Sequence, residues 1–383
     1  MYIEIPGESS GFFLFNLQQI RTVKAFLVLS VISLFLCSCT ARHKQTKNDS
    51  TSYHLSYAKN FSIDSCAYGI VARIGEQGGK SWGYLLSGRK PQNMPADLIW
   101  IKVPVQGFLT LSGTDVGMLA KLKQENRISG VGNSKTIYSP AVKKNLKEGK
   151  IRDFNTWEQI PFEQLVRTSV NVITYSNFGK DYPHSRELEK AGIICLPILD
   201  WKEEHPLGKA EWIKLYGYLT GCSELAETYF SQLNRAYNKL KNEAKQYRSH
   251  PTVFCGNQTG EFWFCPSGES YEAKLIADAG GNYVYKKTKG TGSLSLTPEK
   301  VLMTNKKTQL WLNPGIESKE ALVKNHPKSI YFGAFKKDSV FCYSASMNKY
   351  WENAAVAPDK VLSDLILIFH RKNEKLHFYS KLK

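Results

Sequence analysis

The feature that most constrains this chain is a change of period. From 98 to 199 short apolar runs alternate with stretches of helical spacing, from 210 to 246 the spacing is helical throughout, and after the polar break at Ser249, His250 and Pro251 the alternation resumes. Nearly uncharged runs such as 170–175 and 193–199 suit strands covered on both faces, and strands that alternate with helices build mostly parallel sheets. The expected architecture is α/β: two α/β lobes with mostly parallel central sheets joined by one long connecting helix. Leu215, Leu219, Cys222, Leu225, Tyr229, Leu233, Ala236 and Leu240 share one face of that helix, with Gly217 and Gly221 weakening its first half. At ~1.5 Å per residue a straight helix of this length spans about 50 Å, enough to bridge two bodies.

The same signals divide the chain into a leader at 1–39, a tether at 40–56, a β extension at 57–97, a first lobe at 98–209, the connecting helix at 210–248 and a second lobe at 249–383. In the first lobe 98–105, 108–111 and 128–131 read as strands, and Thr114 caps a helix carrying Met118, Leu119 and Leu122. In the second, 252–255, 283–285, 309–312 and 330–332 read as strands, Pro298 opens a helix, and 358–369 is an amphipathic closing helix.

The apolar run 25–39 follows Arg21 and Lys24 and falls short of the roughly 20 residues of a membrane span, so it reads as a signal peptide. Residues 1–19 lie upstream of its basic region and read as an early start. Leu36, Cys37, Ser38 and Cys39 resemble a lipobox, which makes Cys39 the expected lipidation site; an ordinary cleaved signal or a short anchor with incidental cysteines is the alternative. Lys and Arg exceed Asp and Glu by 51 to 34, giving +17. In an exported protein that excess favours anionic ligands or surfaces, and the lysines are too dispersed for a nucleic-acid footprint. The cysteines at 66, 195, 222, 255, 265 and 342 are too scattered for a disulfide framework. Cys255 and Cys265 can pair across a bend or, like Cys195 and Cys342, serve as small apolar residues in strands. No spacing suits a structural zinc.

Two passages carry a family resemblance. The stretch 199–213, from Leu199-Asp200-Trp201 through His205-Pro206-Leu207-Gly208 to Trp212-Ile213, resembles the exit from the first lobe in class III periplasmic binding proteins for iron-siderophores, haem and cobalamin. The stretch 352–365, beginning Glu352-Asn353-Ala354-Ala355-Val356-Ala357-Pro358, resembles their C-terminal segment, although related sequences often carry an Arg after the Val. The resemblance implies a substrate-binding lipoprotein of an ABC importer, not an enzyme and without a cofactor of its own. It would take up a metal chelate, an iron-siderophore first, then haem or cobalamin. It further implies an ABC permease with its ATPase as partner, a monomer lipid-anchored to the membrane facing the periplasm, and no nucleic acid. The permease-docking acids of the family match Glu163 and Glu299, each in the first turn of a helix opened by proline. Read without the resemblance, both are carboxylates complementing a helix dipole.

Ligands of open α/β sheets sit beyond the carboxyl ends of the strands. The loops there offer Ser112 and Thr114, Tyr175 and Asn177, and Trp201 in the first lobe, and Trp263, Tyr271 and Tyr350 in the second, as candidate ligand-binding residues. Trp157 joins them because it precedes Glu163 by the interval that separates a ligand-stacking Trp from the docking acid in cobalamin-binding relatives. Core packing is the competing role of every aromatic here. Asp200 and Glu204 can bind a metal or cap the next helix, and His205 has no second His at i+4 to complete a metal pair. The rival functions are a free zinc or manganese binder, which calls for a His-rich loop, a metal chelatase-like or cluster-bearing enzyme on a related scaffold, and a surface lipoprotein that only adheres to glycans or partners.

Overall fold

The computed structural model describes residues 52–53, 55–76, 78–156 and 160–383; the expected leader with Cys39, most of the tether, and Trp157 lie outside these. The described chain begins with a five-stranded sheet of β1 (Ser52–Tyr53), β2 (Phe61–Cys66), β3 (Gly69–Gly75), β4 (Ser81–Ser87) and β5 (Leu98–Lys102), paired in that order. The first four strands run antiparallel, and β5 lies parallel to β4. The sequence reading begins the first lobe at 98; instead Leu98 and Ile101 are buried by joining this sheet.

The first lobe is built from β6 (Phe108–Thr110), α1 (Gly113–Lys121), β7 (Ile128–Val131), α2 (Pro140–Lys147), β8 (Arg152–Asp153), α3 (Phe162–Leu165), β9 (Val172–Ser176), α4 (Ser185–Lys190) and β10 (Ile194–Ile198). Its strands are all parallel, in the order β10-β9-β6-β7-β8. The uncharged run read as a doubly covered strand is β9, whose Val172, Ile173 and Thr174 are buried.

The helical stretch is interrupted, unlike the single strut expected over 210–248. α5 (Pro206–Glu211) and α6 (Ile213–Thr220) come first, and α6 stops at Gly221, whose φ of 77° is left-handed. Glycine takes that conformation without steric cost, and the N–H groups of Gly221 and Cys222 close onto the last turn. The connecting helix is then α7 (Ser223–Ala244), 22 residues or about 33 Å long. It buries Ala226, Phe230, Leu233 and Tyr237, a stripe at three- and four-residue steps.

The second lobe contains β11 (Thr252–Cys255), β12 (Asn257–Thr259), β13 (Phe262–Pro266), α8 (Tyr271–Asp278), β14 (Asn282–Tyr283), β15 (Ser293–Leu296), α9 (Pro298–Asn305), β16 (Leu310–Leu312), α10 (Lys319–Asn325), α11 (Gly333–Lys336), β17 (Val340–Cys342), α12 (Met347–Asn353), α13 (Pro358–Phe369) and β18 (Ser380–Lys381). The main sheet, β14-β11-β16-β17-β18, is parallel except for the edge strand β18, and β12-β13-β15 form a small antiparallel sheet. The strand expected at 330–332 is a 3-10 turn (Pro327–Tyr331), because Pro327 fixes the turn at its start and leaves Ile330 and Tyr331 exposed. Cys255 and Cys265 are both buried and unpaired, so they fill the core.

One apolar core continues from the first sheet through α5, α6 and α7 into the second lobe. The chain entering this body is fastened by two buried carboxylates. Glu211 accepts from the backbone N–H groups of Ser56, Tyr57 and Ala58, and Glu203 from those of Lys59 and Asn60 and from the Trp212 indole. Without such partners a buried carboxylate would be costly, so the carboxylates and the strap hold each other in place.

Candidate ligand cleft

The carboxyl ends of both parallel sheets face a narrow cleft bounded by α1 and α5 of the first lobe and α8, α12 and α13 of the second. Thr114, Lys209, Tyr271, Tyr350 and Trp351 line it and leave about 20 Å3 of free space. A second cavity with about 20 Å3 of free space, inside the second lobe, shares Leu275, Tyr350 and Val361 with the first and is lined further by Glu272, Asn313 and Tyr379. Free room in each amounts to about one water molecule. A roomier concavity lined by Arg248, Gln309, Asp338 and Lys372 lies at the amino ends of β11, β16 and β17, the wrong end of the sheet for a ligand of an open α/β fold.

α12 spans the gap. Although it follows β17 of the second lobe, its Glu352 accepts from the N–H groups of Tyr138 (2.7 Å) and Ser139 (3.1 Å) in the first, and the Trp351 carbonyl accepts from the Thr114 hydroxyl at 3.2 Å. Gly117 on α1 makes the approach possible, since a Cβ there would lie 1.6 Å from the Glu352 carbonyl. Burial holds the Glu352 carboxyl above its ordinary pKa, opposed by those two N–H groups.

Polar groups gather beneath. Asp115, 1% exposed, accepts from the hydroxyls of Thr174 and Tyr216, each at 2.7 Å, yet burial still pushes it up to about 7. Asp200, at 4% exposure, faces Lys209 at 3.4 Å, and the Lys209 ammonium lies 4.8 Å from the centre of the Tyr271 ring. Burial also raises Glu272, against the pull of Lys209. On the second-lobe side Tyr343 stacks on Tyr350 at 3.7 Å, with Tyr379 edge-on to both.

Of the residues singled out from sequence, Thr114, Tyr271 and Tyr350 line this cleft. Ser112 is taken up as the N-cap of α1. Asn177, 3% exposed, shapes its own turn by accepting from Gly179 and donating to the Lys180 carbonyl. Tyr175 and Trp263 are not at the cleft surface. Tyr175 packs on Tyr182 in a separate core of the first lobe, and Trp263 donates to the Cys255 carbonyl among Phe254, Trp311 and Phe332. Each sits on a strand whose neighbouring elements cover it, so the core role prevails.

Trp201 stands beside the cleft rather than within the cavity lining, its ring 5.0 Å from the exposed Phe178. His205, not Asp200, caps the following helix, its Nδ1 accepting from Leu207. Glu163 and Glu299 are exposed in the first turns of α3 and α9, one per lobe, and Glu299 pairs with Lys328. Sequence reasoning missed Lys209, Glu272, Asn313, Tyr343 and Tyr379. The available signal was position: Asn313 directly follows β16 and Tyr343 directly follows β17.

A two-lobed body with parallel sheets, a cleft at their carboxyl ends and a helical connection defines a solute-binding protein of the type that serves membrane transport. The profile of the periplasmic binding protein family matches residues 109–341, and the chain belongs to that family. It is an exported, non-enzymatic binding component. An uncharacterized lipoprotein of Methanocaldococcus jannaschii is 26% identical over 297 residues, covering 73% of this chain and 70% of its own. The fold is shared with a periplasmic heme-binding protein of Pseudomonas aeruginosa (TM-score 0.56, 16% identity, 73% of this chain and 98% of that one). It is shared equally with an Fe3+-hydroxamate transport protein of Saccharomonospora viridis (TM-score 0.55, 15% identity, 70% and 94%).

Proposed function

We propose that this chain is the lipid-anchored substrate-binding component of an ABC importer. It captures a metal chelate between its lobes, an iron-siderophore in the first place and haem or cobalamin next, and hands it to a membrane permease driven by a separate ATPase. The observation that carries this reading is the set of buried polar groups at the carboxyl ends of both sheets, where an open α/β fold receives its ligand. Aromatic side chains on both sides of the cleft, Tyr271 and Tyr350 within it and the Phe178–Trp201 pair beside it, suit a bulky, partly flat ligand. A free zinc or manganese ion is less well served, since no group of three His, Cys, Asp or Glu side chains suited to a metal occurs among the described residues. Cys39 at the lipobox-like sequence supplies the proposed anchor.

The test is tryptophan fluorescence of the detergent-solubilised chain, titrated with ferric siderophores, haem, cobalamin and free zinc or manganese ions. Quenching by at least one chelate and by neither free ion is expected. A response confined to the free ions overturns the chelate reading.

A further inference from the structure

The fold gathers charges that the sequence scatters. Segments 245–251, 306–309 and 336–339 lead into β11, β16 and β17, so all three lie at the amino end of the second-lobe sheet. Segment 370–376, which follows α13, and Lys381 on β18 border the same concavity. Together they carry ten Lys and Arg side chains, all exposed, against two acids, Asp338 and Glu374. Among the described residues Lys381 is the only one of the ten in an ion pair, and it shares Asp338 with Lys319. Cations near a helix C-terminus offset its partial negative charge, about half a unit for each helix. The three ends of α7, α9 and α13 therefore use up fewer than about two of these cations. Arg371 adopts a φ of 53°, the left-handed conformation that a helix end ordinarily gives to glycine, so its cation is held here against the backbone's preference.

The concavity is broad, with about 910 Å3 of free space, and none of the buried polar atoms that lack a partner among the described residues lies in its lining. It is therefore not shaped around one small anion. Its aromatic is not offered to a nucleic-acid base either, since Tyr247 is stacked on His370 at 3.7 Å and the Lys372 ammonium lies 5.8 Å from the Tyr247 ring. Many cations on separate loops, with no common focus, suit an extended layer of anionic groups. Each Lys or Arg close to an anionic bilayer adds its own attraction, and the sum needs no shared target.

Resting on the reading above only for placing the chain at a membrane, we infer that the amino end of the second lobe is a membrane-contacting face that binds the phosphate headgroups of anionic phospholipids. Arg248, Lys337, Arg371 and Lys372 line its centre, and Lys306, Lys307 and Lys336 flank it on the loops before β16 and β17. The face lies at the other end of the strands from the cleft, so the contact leaves the cargo site uncovered. It also gives much of the +17 of the chain a place and a use. The attraction reaches about one Debye length, roughly 8 Å at physiological salt, so the contact is close and weakens as salt rises.

Amine labelling of the full chain on vesicles, read lysine by lysine, tests this face. On phosphatidylglycerol vesicles the labelling of Lys306, Lys307, Lys336, Lys337 and Lys372 is expected to be at least about tenfold slower than on phosphatidylcholine vesicles, and high salt to reverse the difference. Lys90 and Lys147, exposed elsewhere, are expected to keep their rates. R248Q/R371Q/K372Q, a change confined to exposed side chains, is expected to remove most of the protection of Lys306, Lys307, Lys336 and Lys337. Equal rates on the two kinds of vesicle, or uniform slowing that includes Lys90 and Lys147, overturns the inference and leaves the transport reading to its own chelate titration. The same protection produced by inorganic phosphate without vesicles would mark a discrete anion site and overturns the membrane face as well. Local protection in a chain that answers no chelate upholds this face and removes the transport reading.

Discussion

Asp115 is the residue on which the chemistry of the interior turns. Its two hydroxyl donors do not offset the loss of water, and burial carries its carboxyl from 3.8 to about 7. An acid whose pKa is raised by folding stabilises the fold fully below its unfolded value, and that contribution disappears as pH rises through the folded value. The window is therefore about pH 4 to 7, and the amount is on the order of 4 kcal/mol. Asp115→Asn, which keeps the shape and removes the ionisation, is expected to flatten the fall in melting temperature between the two ends of that window; an unchanged pH profile counts against the assignment. Little of this was legible beforehand. Thr114 was identified from its place after a strand, but Asp115 beside it gains its importance from Thr174 and Tyr216, which lie 59 and 101 residues away. Tyr175 and Trp263 failed as ligand candidates for the same reason, since nothing in a strand's own residues tells which neighbours will cover it.

Among the elements, α12 has the largest consequence for the cleft. It joins the lobes through Glu352 and rests where Gly117 leaves space for its backbone. Truncating a buried acceptor that serves two N–H groups leaves both unmet, at about 1–3 kcal/mol. Glu352→Ala is expected to speed amide hydrogen exchange at Tyr138 and Ser139 while leaving the β11 amides protected. Equal exchange at both places would mean that the whole fold, not the latch, had loosened. A chelate larger than the present free room reaches the cleft only if α12 lifts or the lobes part. The Glu352 passage stood out in the sequence as a family resemblance, but its span between lobes follows from the packing of α12 on α1. The interrupted connecting helix teaches a similar lesson: Gly217 and Gly221 were visible as weak points, yet only the left-handed backbone at Gly221 shows which of them ends a helix.

For the molecule as a whole, the two-lobed α/β plan was readable because periodicity is a local property and the helical stretch is long. Docking to a permease through Glu163 and Glu299, one exposed acid on each lobe, is the proposed role of the pair, and it would require Lys328 to release Glu299. Exposed ion pairs of this kind contribute little, so the exchange is cheap. Glu163→Ala combined with Glu299→Ala is expected to leave chelate affinity unchanged and abolish uptake by whole cells, and normal uptake by the double variant would remove both acids from the docking face.

The strap held by Glu203 and Glu211 has a mechanical consequence. Five backbone N–H groups from Ser56 to Asn60 are moored to Glu203, just before α5, and to Glu211, its last residue. If the proposed anchor holds the N-terminus at a membrane, a pull along the chain would be taken up at Glu203 and Glu211 before it reached either parallel sheet.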